Sequence, residues 1–276
     1  MKAAFFDLDK TVIAKASMLA FGRTFYNEGL LSRRTILRSV YAQFVFKYAG
    51  ANEKQLTKLR ETALSLTKGW ERSIVSAIVA ETMTEIVEPL IYKEALDLIE
   101  MHKQNGDMVF IVSASPLEIV EPLGDRLAVD GVIATESKVD EDGRYTGEVA
   151  FYAYGPYKAV AMERLAEQHG FLLSESFAYS DSYTDLPMLE AVGHPVVVNP
   201  DRVLAKLAKE RNWEIKTFSN PVRVREGRVK NARPTALVAL AIGVTTIALA
   251  SGYLAYRVRH ISKQLRTLLR LSPDSL

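Results

Sequence analysis

AAFFDLDKTV, residues 3–12, begins with four apolar residues and then sets two aspartates two positions apart. Such a run reads as a strand buried on both faces, of the kind a parallel sheet requires. Asp7 and Asp9 at its end are either a solvated strand terminus or one edge of an active site, and a DxD pair by itself does not separate the two. On an extended chain residues two apart face the same way, so both carboxylates can serve one site.

Similar runs recur downstream: DMVFIVS (Asp107–Ser113), VIATE (Val132–Glu136), FAYSD (Phe177–Asp181) and PVVVN (Pro195–Asn199). Helical patterns separate them, which predicts an α/β fold with a doubly wound parallel sheet. KVDEDGRYTGEV interrupts the alternation with a hairpin whose turn Asp142 and Gly143 supply. Between the first and second strands the chain reads mostly as helix, so residues 17–105 are expected to form a helical cap and its return helix. Residues 1–16 and 106–222 then make the core. The cap region carries many aromatics and cations, among them Phe21, Phe25, Tyr41, Trp70, Arg23, Arg33 and Arg38, which read more simply as helix packing with solvated charges than as substrate-binding residues.

A chain of 276 residues with 48% apolar content can bury a sizeable core. The absence of cysteine excludes disulfides, thiolate metal sites and thiol nucleophiles. No GxxxxGK, GxGxxG, HExxH or GxSxG pattern is present. His102, His169, His194 and His260 lack metal-ligand spacing and read as surface or helix-end residues.

Ligands of doubly wound sheets collect at the carboxyl ends of the strands, and the remaining polar residues of interest fall there. Ser113 ends FIVS. In the following SPLE, Ser115, Pro116 and Glu118 match an N-cap, an N1 proline and a capping-box acid. In YGPYKAVAMERLAEQHG, Gly155 and Pro156 open a helix that Gly170 closes, with Lys158 in the first turn. A cation there opposes the helix dipole, and a nearby anion would account for it. FAYSDSYTDLPMLEAVG adds Asp181 at a strand end and Asp185 at the start of a helix that Gly193 could close. An oxygen-rich edge of this kind suits Mg²⁺.

FDLDKTV, VSAS, GPYK and SDSYTD together, over roughly residues 3 to 220, resemble the four motifs of the haloacid dehalogenase superfamily, in particular its phosphoserine phosphatase-like branch. The resemblance implies that Asp7 is a nucleophile forming an aspartyl-phosphate and that Asp9 is the acid and base. It implies that Ser113, Ala114 and Lys158 hold the phosphoryl oxygens, with Thr11 orienting the first loop. Mg²⁺ would be bound by Asp7, Asp9 through its backbone carbonyl and Asp181, with Asp185 in support. The activity implied is Mg²⁺-dependent hydrolysis of a small or lipid-derived phosphomonoester. The alternatives are a phosphotransferase using the same intermediate, or an inactive membrane-tethered scaffold. Phosphoserine phosphatases of this branch usually carry a Glu nine residues after the nucleophile; that position is Ala16 here, which sets phosphoserine in doubt.

The C-terminal part differs in composition. Residues 223 to 276 hold ten Lys/Arg against two acids. A basic linker is expected over 223–233 and a membrane helix over 234–256, 23 uncharged residues, enough to cross a hydrocarbon core of about 30 Å. In the tail, 257–276, Val258, Ile261, Leu265 and Leu268 form one stripe flanked by cations, either lying on anionic lipid or extending the span. With no leader at the N-terminus, a single-pass protein with its catalytic domain on the cytoplasmic side is expected. The cations flank an apolar stretch, so no nucleic-acid partner is expected.

Overall fold

The computed structural model describes residues 1–29 and 67–221. Strand β1 (Ala3–Asp7) is followed by helices α1 (Ser17–Asn27), α2 (Arg72–Ile86) and α3 (Lys93–Gln104). Then come β2 (Met108–Pro116), α4 (Leu117–Leu127), β3 (Gly131–Val139), β4 (Tyr145–Phe151) and α5 (Pro156–His169). The described chain closes with β5 (Phe177–Ser180), α6 (Leu186–Glu190), β6 (His194–Val198), α7 (Arg202–Glu210) and β7 (Glu214–Lys216). The strands form one sheet in the order β4-β3-β2-β1-β5-β6-β7, parallel except for β4 against β3.

The apolar run of β1 places it near the sheet centre. Ala3 and Phe5 enter a core with Met162, Met188, Leu189 and Leu204 of α5, α6 and α7. Ala4 and Phe6 enter the opposite core with Ile99 of α3, Val120 and Leu123 of α4 and Val79 of α2. Both phenylalanines are fully buried, each contributing about 1.5–3 kcal/mol relative to exposure. Phe5 stacks on Phe110 of β2 and Phe6 on Tyr179 of β5. One strand therefore ties both helical layers together, and its last residue, Asp7, ends between Val112 of β2 and the end of β5.

The hairpin forms between β3 and β4, closed by the Gly143 N–H donating to the Asp140 carbonyl, with Gly143 at φ 75°. Its far strand also holds the segment leading into α2: the Gly69 N–H donates to the Tyr145 carbonyl and the Tyr145 N–H to that of Trp70. Phe21, Phe25 and Trp70 are packing residues in a linked aromatic cluster. Tyr41, Arg33 and Arg38, like the linker, span and tail of 223–276, lie outside the described residues; among those described, no helix is long and apolar enough to cross a membrane.

Several expectations are corrected. Strand β2 continues to Pro116, so Pro116 rather than Ser115 stands at the N-cap of α4, and no side chain caps that helix. Glu118 is drawn away from capping by Arg72 of α2, 3.1 Å distant. His102 stands at a helix end, one of the two positions expected of it, and is buried there, bridging Asp107 (2.8 Å) and the Tyr179 hydroxyl (2.8 Å). β7 carries too few residues to show in the pattern. Gly193 lies beyond α6, whose C-cap is Ala191. Its reason is a close approach: a Cβ there would sit 1.8 Å from the Ser174 carbonyl oxygen. Gly193→Ala is accordingly expected to destabilise the fold by about 2–3 kcal/mol in urea denaturation; an unchanged midpoint would contradict that contact.

Candidate active site

The first loop is shaped by one carbonyl. Leu8 O accepts the N–H groups of Thr11, Val12 and Ile13 at 3.3, 2.9 and 3.0 Å. To make that turn Lys10 adopts φ 64°, a left-handed conformation that costs a non-glycine residue about 1 kcal/mol or more. Asp7 and Asp9 are thereby sent to different partners. Asp7 Oδ1 accepts a hydrogen bond from Lys158 Nζ at 2.6 Å. Asp9 Oδ1 accepts the Ser17 N–H at 2.8 Å, and Asp9 Oδ2 accepts from Ser115 Oγ at 3.3 Å. Asp9 thus serves the amino end of α1, whose N-cap residue, Ala16, has no side chain to do so.

Lys158 lies in the first turn of α5, and the anion that explains it is present twice. Its ammonium is also 2.8 Å from Asp185 Oδ1, and the residue is buried. The sequence pattern of a proline-opened helix brings this lysine under the strand ends. Asp185 ends a short 3-10 turn, and its other oxygen accepts from Ser180 Oγ at 2.7 Å. The side chain does not cap α6. Asp181 is buried just past β5, with Lys10 Nζ 3.6 Å from Oδ2.

At the end of β2 the register with β3 shifts between Val112 and Pro116. Within this irregular stretch the buried Ser113 Oγ accepts the Ser115 N–H at 3.1 Å, and the Ala114 carbonyl accepts from Thr135 Oγ1 at 2.8 Å. Thr11 is fully buried, but its hydroxyl has no hydrogen-bond partner and does not reach the carboxylates. The structure thus joins Asp7, Lys158 and Asp185 directly, places Asp181 beside Lys10 and Asp9 beside Ser115, and leaves Thr11 in a structural position in the turn.

The charges do not balance. Three buried aspartates, Asp7, Asp181 and Asp185, face one buried ammonium and the exposed Lys10. Burial raises the Asp7 carboxyl well above the usual range, with Asp185 and Asp181 adding to it and Lys158 opposing. Burial works against the Lys158 ammonium, but Asp7 and Asp185 more than offset it and hold its pKa above the ordinary lysine value. Burial pushes Asp181 up to about 6, with Asp185 and Asp201 reinforcing the shift against Lys10. An oxygen-only donor set with surplus negative charge fits a hard divalent cation. As the side chains stand, no three acids or histidines among the described residues are gathered to hold one, because Lys158 stands between Asp7 and Asp185.

Serines 17, 115 and 180, which bind Asp9 and Asp185, were not legible as site residues. The available signal was weak: a serine ending an apolar strand, as in FAYS, and one opening a helix.

Beside this site a cleft of about 660 Å³ is lined by Lys10, Ala14, Lys15, Ala16, Ala20, Ile86 and Leu90. Among its described lining residues there are two cations and no carboxylate.

The profile of the haloacid dehalogenase-like hydrolases matches residues 4–190. A Mycobacterium tuberculosis protein named a probable phosphatase is 50% identical over 254 residues, covering 92% of this chain and 88% of the relative. A phosphoserine phosphatase of the same organism is 35% identical over 251 residues, covering 90% and 80%. The crystal structure of a Bordetella pertussis protein of unknown function superposes with a TM-score of 0.70 at 26% identity, over 78% of this chain and 97% of that one.

Because the Asp181 carboxyl is raised, the folded state pays for its ionisation: its contribution favours folding at low pH and is lost as pH rises through about 6. Asp181→Asn is therefore expected to stabilise the protein by about 1–3 kcal/mol at pH 7.5, with the gain shrinking below pH 5. Urea melts of both proteins at the two pH values check this, and a variant less stable than the parent at pH 7.5 would refute it.

Proposed function

The chain belongs to the haloacid dehalogenase-like hydrolases, and on that premise we propose that it is a Mg²⁺-dependent phosphatase of phosphomonoesters acting through Asp7. The observation that carries this reading is the buried contact of Lys158 with both Asp7 and Asp185 at the carboxyl edge of the sheet. Phosphoryl transfer needs positioning and charge neutralisation more than an unusual nucleophile. Lys158 offers a fixed cation for the phosphoryl oxygens and, by holding Oδ1 of Asp7, orients the carboxylate. Oδ2 of Asp7 then attacks phosphorus while the ester P–O bond breaks. Asp9 gives its proton to the departing alkoxide; in the second half it takes one from the water that attacks phosphorus, and the bond to Asp7 breaks to release phosphate. Ser113 and the backbone at Ala114 are assigned to the phosphoryl oxygens, and Thr11 to the shape of the loop. Asp7, Asp181 and the Asp9 carbonyl would hold Mg²⁺, with Asp185 behind them, and the ion would add positive charge at the phosphoryl group.

The substrate is proposed from the cleft. A leaving group bearing an ammonium would meet Lys10 and Lys15, with Ala16 where the family's phosphoserine enzymes usually place a carboxylate. Ile86, Leu90 and the alanines favour an apolar or uncharged leaving group, and the uncharged stretch 234–256 favours a phosphomonoester found at a membrane, reached by a cytoplasmic domain. A lipid-derived phosphomonoester meets both conditions.

Phosphate release from phosphoserine, glycerol phosphate, phosphocholine and lysophosphatidate tests this. Release is expected to require Mg²⁺ and to fall at least about a thousandfold in Asp7→Asn, with phosphoserine and phosphocholine, whose leaving groups carry an ammonium, the poorest esters. A variant that keeps a tenth of the activity would remove Asp7 from the chemistry, and phosphoserine as the best ester would overturn the substrate assignment alone.

A further inference from the structure

We propose that Ser17 and Ser115 form a hydroxyl pair that positions the Asp9 carboxyl for proton transfer, an inference that rests on Asp9 being the proton donor of the reaction above. The two Oγ atoms are 2.7 Å apart, and Ser115 Oγ donates to Asp9 Oδ2 at 3.3 Å. The Ser17 N–H holds the other carboxyl oxygen at 2.8 Å. Ser17 is 0% and Ser115 5% exposed, so water does not compete freely for these contacts. The three residues come from the first loop, the start of α1 and the end of β2, and only the fold brings them together.

Neither serine is accounted for otherwise. Ser115 does not cap α4, whose N-cap is Pro116, and Ser17 follows the N-cap of α1 rather than filling it. The chemistry of the pair suits a group that must work in two protonation states. A backbone N–H can only donate, and so pins Oδ1. A hydroxyl can donate and accept at once: Ser115 Oγ goes on donating to one lone pair of Oδ2 when that oxygen also carries the proton, which leaves the proton free for the ester oxygen, and Ser115 Oγ is itself held by the Ser17 hydroxyl. Oδ2 is then the oxygen that passes its proton to the ester oxygen as the P–O bond breaks, and that recovers a proton from the attacking water. Ser17 and Ser115 are positioning residues that touch neither phosphorus nor the leaving group.

Such a role depends on how much the leaving group needs a proton. An alkoxide leaves badly without one, whereas 4-nitrophenolate leaves without help. The test is kcat/KM, which reports steps up to phosphoryl transfer, for Ser115→Ala, Ser17→Ala and the double variant on the best alkyl phosphomonoester and on 4-nitrophenyl phosphate. Each single variant is expected to lose about tenfold or more on the alkyl ester and less than about threefold on the aryl ester. The double variant should fall little below the worse single one, because the two hydroxyls act as one chain. Equal losses on both esters, or no loss on the alkyl ester, would overturn the proposal. Either single variant suffices if the other fails to fold by circular dichroism. Asp9→Asn separates the two levels: if it turns over the alkyl ester as well as the parent does, the assignment of Asp9 as proton donor fails, and the serine pair falls with it.

Discussion

The contact of Lys158 with Asp7 and Asp185 is the constraint on which the site depends. An ammonium this deeply buried is costly, and it persists only because two carboxylates 2.6 and 2.8 Å away replace the water it has lost. The three groups come from β1, α5 and the turn after β5, so one ion cluster fixes the central strand, the helix beneath it and the neighbouring strand end. Breaking one partner of such a cluster leaves an uncompensated buried charge, which is why a buried ion pair specifies geometry more than it adds net stability.

The sheet supplies what that cluster needs. Because β1 is apolar on both faces, α5 can pack under one face while α3 and α4 cover the other, and Asp7 is left at the carboxyl edge of the sheet beside the first turn of α5. The loop that follows divides the two aspartates. Its shared acceptor, the Leu8 carbonyl, and the left-handed Lys10 turn the chain so that Asp7 meets Lys158 while Asp9 meets α1 and Ser115. The register shift at the end of β2 performs a similar task across the sheet, detaching Ser113 to Ser115 from regular pairing with β3 and bringing Ser115 to Asp9. Surplus carboxylate is the cost of this arrangement. Burial and the neighbouring carboxylates raise the pKa values of Asp7 and Asp181, so ionising them works against folding.

Much of the fold was legible in the chain. The two-faced apolar run of β1, the later runs at β2, β3, β5 and β6, and the Gly143 hairpin are local properties, and local periodicity is enough to define them. Lys158 was legible for a related reason: a proline-opened helix fixes the position of its first turn, and a cation there asks for an anion. The capping role expected of Ser115 failed, and the burial of His102, expected as a surface or helix-end residue, went unread, for the opposite reason. Each depends on a partner far along the chain: Asp9 and Ser17 for Ser115, Tyr179 for His102.

The sequence by itself determined the strand-helix alternation, the order of the four polar strand ends and the residue types at each, because these follow from periodicity, turn chemistry and motif spacing. Tertiary structure alone decided that Lys158 is shared between Asp7 and Asp185, that Asp9 turns to the serines, that Gly193 is required by the Ser174 carbonyl, and that Lys10 and Lys15 line the cleft beside Ala16. The physical reason is range. Hydrogen bonds and ion pairs act over a few ångströms, and residues as far apart along the chain as Asp7 and Lys158 come within that distance only after the two cores have packed against the central strand.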